Sequence, residues 1–281
     1  MSISFVLITF LAQLAVGMTA TVSVLPVGLV DKRFFKTVSF LSALFVAISL
    51  YTRYYATFKL PEVFGGGSGM TFLSAPAVLL GFFGLLSLFL WGRIQLRDIR
   101  VSQIELLGIT AVGFAALVVD SLHFRPALPP FWIQSILLPL HFVSASLLLG
   151  GFLSGMIFGH YYLVSTEMPK RLLSIMAWIL IGILLFRIAA VGMTLLLYKE
   201  IIRPGVDFLT TLTSFQGHGI FFWERVLVGL LIPSIVAVMI WRTARIGSNQ
   251  SATGIMYVAI AFVFIGELAA RYLFLISAIP L

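Results

Sequence analysis

Residues 172–198 read LLSIMAWILIGILLFRIAAVGMTLLLY, an apolar run whose one charged residue is Arg187. A helix rises about 1.5 Å per residue, so a run of this length covers the roughly 30 Å hydrocarbon core of a bilayer. Seven further runs have the same character: Ile3 to Val30, Thr37 to Tyr54, Thr71 to Leu90, Ile104 to Leu122, Trp132 to Phe158, Ile220 to Trp241 and Thr253 to Ala278. In lipid a backbone must satisfy its own hydrogen bonds, which selects helices for such runs. The sequence therefore predicts an all-α integral membrane protein, a bundle of about eight transmembrane helices forming one polytopic domain over residues 1–281.

Composition agrees and removes several function classes. Hydrophobic residues make up 60% of the chain and charged residues 10%, against roughly 25% charged in an average soluble domain. Cysteine is absent, which excludes disulfides, thiolate metal sites and any iron–sulfur cluster ligated by this chain alone. The net charge of +8 comes from basic residues in short connections between apolar runs. That is the pattern of membrane orientation, not of nucleic-acid binding. Met1 to Val30 lacks a basic n-region and a small-residue cleavage site, so it is expected to stay as a first span.

Basic residues set the expected orientation. The odd connections hold Lys32, Arg33, Lys36, Arg93, Arg97, Arg100, Lys170, Arg171, Arg242 and Arg245. The even ones hold Arg53, Lys59, Arg125, Lys199 and Arg203. Cytoplasmic connections are enriched in Lys and Arg, so the odd ones face the cytoplasm and both ends of the chain lie outside, N-out and C-out. The run Gly65-Gly66-Gly67-Ser68-Gly69 lacks the basic residue of a phosphate-binding loop and is read as a linker. Gly151, Gly155 and Gly159 recur every four residues, the spacing of a helix–helix packing stripe.

Ionisable groups inside spans cost about 2.5–3.5 kcal/mol each at a helix centre, so each needs a partner or a purpose. With the orientation above, the ionisable groups Asp120, His123, His141, Arg187, Glu224, Arg225, Glu267 and Arg271 converge on the outer half, with His218 immediately before span seven and the amide of Gln13 in the outer half of span one. A polar cavity opening outward is the simplest arrangement. Glu267 and Arg271 are four residues apart with the acid first, which suits a helical ion pair. Glu224 and Arg225 are adjacent and diverge by about 100°, so at least one is expected to reach another helix. His141 and His160 are nineteen residues apart on one helix and cannot sandwich a single haem. His141 is a candidate for proton transfer, and His160, in Gly159-His160-Tyr161-Tyr162, reads as an interfacial anchor.

Three segments, Ala12-Gln13-Leu14-Ala15-Val16-Gly17, Phe222-Trp223-Glu224-Arg225-Val226-Leu227 and Gly266-Glu267-Leu268-Ala269-Ala270-Arg271-Tyr272-Leu273-Phe274, make the chain similar to a known family. It resembles the membrane-anchor subunits of dimethyl sulfoxide reductase type complexes, the DmsC group of the wider NrfD-like families. Length and span number match throughout, and the Gly-Glu-x-x-x-Arg segment is the most specific feature. The resemblance implies a non-catalytic anchor in a bacterial or archaeal inner membrane, without haem or cluster. Such an anchor exchanges electrons between menaquinone or ubiquinone and an iron–sulfur subunit, and holds a molybdopterin catalytic subunit at the membrane. The His and Glu that the family carries around its second and third spans have no counterpart here, since Arg53 to Ala77 offers only Glu62. Proton handling is then expected at His141 or Asp120, or at Glu224 or Glu267, with Arg187, Arg225, Arg271 and Gln13 as positioning groups. A purely structural anchor is the main rival. A transporter is the other, but Pro139 and Pro233 interrupt spans five and seven without an evident sequence repeat.

Reporter fusions after Arg100, Arg171 or Arg245 should report cytoplasm, and fusions within residues 60–69 or 205–216 should report the outside. The opposite pattern overturns the orientation.

Overall fold

The computed structural model describes residues 3–55, 74–97, 101–125, 130–164, 168–169, 171–202, 208–214 and 219–281. All regular structure in them is helical: α1 Ile3–Ser23, α2 Lys32–Tyr55, α3 Ala75–Arg97, α4 Gln103–Leu122, α5 Phe131–Val164, α6 Arg171–Leu197, the short α7 Phe208–Thr213, α8 Gly219–Val226, α9 Ile232–Arg245 and α10 Asn249–Ser277. Among the described residues eight helical segments are long and apolar enough to cross a membrane, with α8 and α9 forming one of them. Lys59, Glu62, the glycine run, Arg100, Lys170, Arg203 and His218 lie outside the described residues.

Boundaries differ from expectation where proline or a register change intervenes. The first helix stops at Ser23, not Val30. Pro26 disfavours helical backbone at Leu25, and a 3-10 turn, Val27–Leu29, follows. Hydropathy runs on past the helix because the connection itself is apolar. In the seventh span the π turn Leu227–Leu231 joins α8 to α9, with Pro233 in the first turn of α9. A proline cannot donate to the carbonyl four residues back, and its ring crowds that carbonyl. The wider turn absorbs the mismatch and resets the face on which Arg225 lies relative to α9.

Contacts between helices divide the spans into two rings. In the first, α1 packs on α2, α2 on α3, α3 on α4, and α4 back on α1. In the second, α5 packs on α6, α6 on α9, α9 on α10, and α10 back on α5. The rings join mainly along α1 and α5. Accordingly α1 is the most enclosed span, with 83% of its most apolar stretch buried against 33% for α3. Phe5 of α1 touches Phe274 of α10 at a ring separation of 6.4 Å, so the start of α1 and the end of α10 share one end of the bundle.

Glycine sets the seam. A Cβ on Gly150 would overlap the backbone of Gly17 and Met18, and one on Gly17 would overlap the Ser146 carbonyl. The two helices thus meet backbone to backbone, the close approach that small residues permit in lipid. A second crossing of this kind joins Gly229 and Gly266. The stripe at Gly151, Gly155 and Gly159 packs against Ile183, Leu180 and Thr253 of neighbouring helices.

Gly150→Val should lower stability by at least the roughly 1–3 kcal/mol typical of overpacking, read as unfolding in mixed detergent micelles. Gly182→Val, where an added Cβ meets nothing within 4 Å, is the control and should leave stability within about 0.5 kcal/mol. Equal behaviour of the two variants would remove the seam as a constraint.

Candidate functional site

The second ring is built around Glu267 of α10. Arg187 of α6 donates through Nε to Oε1 at 3.1 Å and through Nη2 to Oε2 at 3.3 Å. Arg225 of α8 brings Nη2 within 2.9 Å of Oε1. Arg271, one turn along α10, donates through Nη1 to Oε2 at 3.3 Å and to the Glu267 carbonyl at 2.6 Å. All four residues are at most 6% exposed. Both carboxylate oxygens act as acceptors, so Glu267 serves as the shared counter-ion of three guanidiniums. Arg225 lies close enough for ion pairing, but its N–H groups miss hydrogen-bond alignment, leaving Nε, Nη1 and Nη2 without a hydrogen-bond partner.

Two further groups complete the cluster. Gln13 of α1 accepts from Arg271 Nη2 through Oε1. His141 of α5 accepts from Arg187 Nη1 at its Nδ1, 2.8 Å away, while its Nε2 lies 2.6 Å from Thr194 Oγ1. A guanidinium has no acceptor, so Nδ1 must be unprotonated, and the ring carries its hydrogen on Nε2 and donates it to Thr194. Arg187 Nη1 also donates to Ser144 Oγ at 3.0 Å, and Nη2 to the Leu281 main-chain oxygen at 2.9 Å.

Beside this cluster lies a cavity of about 40 Å³, room for about two or three waters. It sits where the rings meet, bordered by Thr9 and Gln13 of α1, His141 of α5, Arg187 of α6, and Glu267 and Arg271 of α10. Phe5, Phe142 and Phe274 form its apolar side. Phe124 stands behind them, 4.7 Å from Phe5 and 6.0 Å from Phe142 between ring centres.

The structure thus brings together Gln13, His141, Arg187, Arg225, Glu267 and Arg271, and leaves Asp120 and Glu224 apart. Asp120 of α4 accepts from Arg53 Nη2 at 2.9 Å on both oxygens, with both side chains fully buried. Arg53 is therefore not an outer-connection charge, as its place near the end of an apolar run suggested, but an interior residue of α2. Glu224 is half-buried, and no ion pair to it is found among the described residues; Arg225 is the member of that adjacent pair that reaches across. His123 is exposed and bonds its own helix at the Val119 carbonyl, while the exposed His160 lies 3.5 Å from the Tyr257 hydroxyl. Among the described residues no group of three His, Cys, Asp or Glu is placed to hold a metal.

The two rings repeat a motif. In each, an arginine on the second span pairs with an acid on the fourth: Arg53 with Asp120, and Arg187 with Glu267. Gln13 and His141 also correspond in lying on the first span of their rings, α1 and α5. The sequence reading missed this correspondence, and also missed Thr194 and Ser144. Helical spacing held the signal, since Thr194 is two turns beyond Arg187 and Ser144 one turn beyond His141. No family model matches the sequence, and no curated protein matches it at a significant level.

The Arg53–Asp120 pair should behave as a fully desolvated bridge. Arg53→Met or Asp120→Leu alone should cost about 3–5 kcal/mol by stranding its partner, while the double variant should cost less than either. Additive losses in detergent unfolding would contradict this pairing.

Proposed function

We propose that this chain is a quinone-interacting membrane anchor subunit of a multi-subunit respiratory oxidoreductase, of the DmsC and NrfD-like kind. The observation that carries the reading is the seam cavity, with phenylalanine rings on one side and buried Gln13, His141, Arg187 and Arg271 on the other. Small-molecule sites combine such an apolar wall with a few fixed polar groups, often where two packed units meet. A menaquinone or ubiquinone headgroup has matching chemistry, a flat apolar ring with oxygens at its edges. It would move Phe5, Phe142 or Phe274 aside to enter.

In this reading oxidation of one quinol releases two electrons and two protons. The electrons would pass to a cluster in an adjoining iron–sulfur subunit and on to a molybdopterin subunit, and the reverse flow would reduce quinone. His141 would take the two protons in turn, passing each to the outer side before accepting the next. Its Nδ1 becomes available when Arg187 Nη1 shifts fully onto Ser144 and the His141 carbonyl, both of which it already approaches. Glu267 keeps the arginines in place. The setting is the bacterial or archaeal inner membrane with both ends of the chain outside, so the site opens to the outer leaflet.

One observation favours a second reading, a purely structural anchor: both oxygens of Glu267 and both ring nitrogens of His141 already have partners within the protein. His141→Gln in the native complex separates the two. Loss of general acid–base catalysis should slow quinone-linked turnover by about 10²–10⁴-fold, with turnover by a soluble dye and subunit assembly unchanged. Equal retention of quinone and dye activity would exclude His141 as the proton carrier and remove the support this site gives to the quinone reading.

A further inference from the structure

The two rings provide an internal control on charge. In the first, one arginine meets one acid and the pair is balanced. The second keeps that pair, Arg187 with Glu267, and adds Arg225 and Arg271 to the same carboxylate. Among the described residues, counting the Leu281 main-chain oxygen beside Arg187 as a full negative charge still leaves an excess of one positive charge. A buried guanidinium without a counter-charge is costly. The first ring shows that a balanced pair suffices to tie a second span to a fourth, so helix packing does not account for the extra two cations.

Unmade hydrogen bonds alone do not single out the second ring, because Arg53 also leaves Nε and Nη1 unpartnered. The distinction is the charge excess together with the cavity beside it. Arg271, 6% exposed and with no partner at Nε, borders that space along with Arg187. The remaining wall is mostly carbon. A freely hydrated inorganic anion would lose its water there without replacement, whereas an oxyanion on an apolar body would satisfy both parts of the site.

We infer that the seam cavity binds a lipophilic oxyanion, a singly charged oxygen carried on an apolar body and set against Arg187 and Arg271, as the missing counter-charge of the three-arginine cluster. Two molecules share this chemistry: a fatty-acid carboxylate from the membrane, and the deprotonated ring oxygen of a hydroxylated quinone or quinol. The inference stands without electron transfer, since it rests on charge and shape. If the quinone is the source, it adds to the proposed function that the headgroup is held best in its anionic form.

The test is binding to the detergent-purified protein, in its native complex, of two ionised probes and their neutral counterparts: octanoate against octanol, and 2-hydroxy-1,4-naphthoquinone against 1,4-naphthoquinone. At least one ionised probe should bind about tenfold or more tightly than its neutral counterpart. That preference should vanish in Arg271→Gln and return in Arg271→Lys, which restores the charge, with melting temperature recorded to exclude misfolding. Preference for octanoate alone assigns a fatty acid, and preference for the hydroxynaphthoquinone alone assigns the quinone. Equal binding of charged and neutral members in both pairs overturns the anion site. The quinone reading survives that result if 1,4-naphthoquinone binds and quinone-linked turnover persists.

Discussion

Glu267 is the constraint around which the second half of this protein is arranged. A carboxylate placed among eight apolar spans cannot be left alone, because neither lipid nor a dry interior replaces its hydration. Three guanidiniums from α6, α8 and α10 supply that replacement, and their geometry dictates much else. Arg187 must reach from α6 to α10, which holds those helices at a separation its side chain can span. Arg225 arrives from α8, and the π turn after it permits this while Pro233 continues the same span. Gly229 and Gly266 then meet backbone to backbone beside the cluster. Bulk at either glycine would push the Arg225-bearing segment away from its counter-ion.

The same chemistry at lower stakes organises the first half. Arg53 and Asp120 tie α2 to α4 with equal charges of opposite sign. Two rings with one plan meet along α1 and α5, where Gly17 and Gly150 remove the side chains that would hold them apart. Close approach at mid-seam coexists with a cavity nearer the end where α1 begins, bordered by Phe5 and Thr9 from one ring and His141 from the other. The cavity belongs to neither ring alone. Its polar back wall comes chiefly from the second, which also carries the additional arginines.

Much of this was legible in the sequence because membrane spans and intramembrane charges are the loudest signals such a chain carries. Eight runs stood out by length alone, and Gln13, His141, Arg187, Arg225, Glu267 and Arg271 were identifiable as polar groups in apolar surroundings. Which of them meet was not legible, because pairing depends on helix rotation and on which spans are neighbours. Asp120 looked equivalent to Glu267 by depth, yet it lies in the other ring and is matched by Arg53. Arg53 itself was hidden by position: near the tyrosine-rich end of α2, where Tyr51, Tyr54 and Tyr55 are exposed, a basic residue reads as a connection charge. The end of α1 was misplaced for a related reason, since Val24 to Val30 is apolar but Pro26 ends the helix.

The distribution of hydrogen bonds separates the roles of the two titratable groups that border the cavity. Glu267 is held by three cations from three directions in sequence, so a change in its protonation would leave all three without their anion. That is too large a disturbance for a group that must exchange protons repeatedly. His141 has the opposite character. It is neutral in the tautomer its partners require, one nitrogen faces a hydroxyl and the other an arginine, and that arginine has Ser144 and a carbonyl within reach as alternative acceptors. A proton gained at Nδ1 would displace one hydrogen bond onto groups already in place, leaving the Arg187–Glu267 bridge intact. In the proposed quinol chemistry the histidine would carry the proton, with the developing quinol oxyanion as the counter-charge that an imidazolium beside Arg187 requires, and the carboxylate would keep the cationic frame in place.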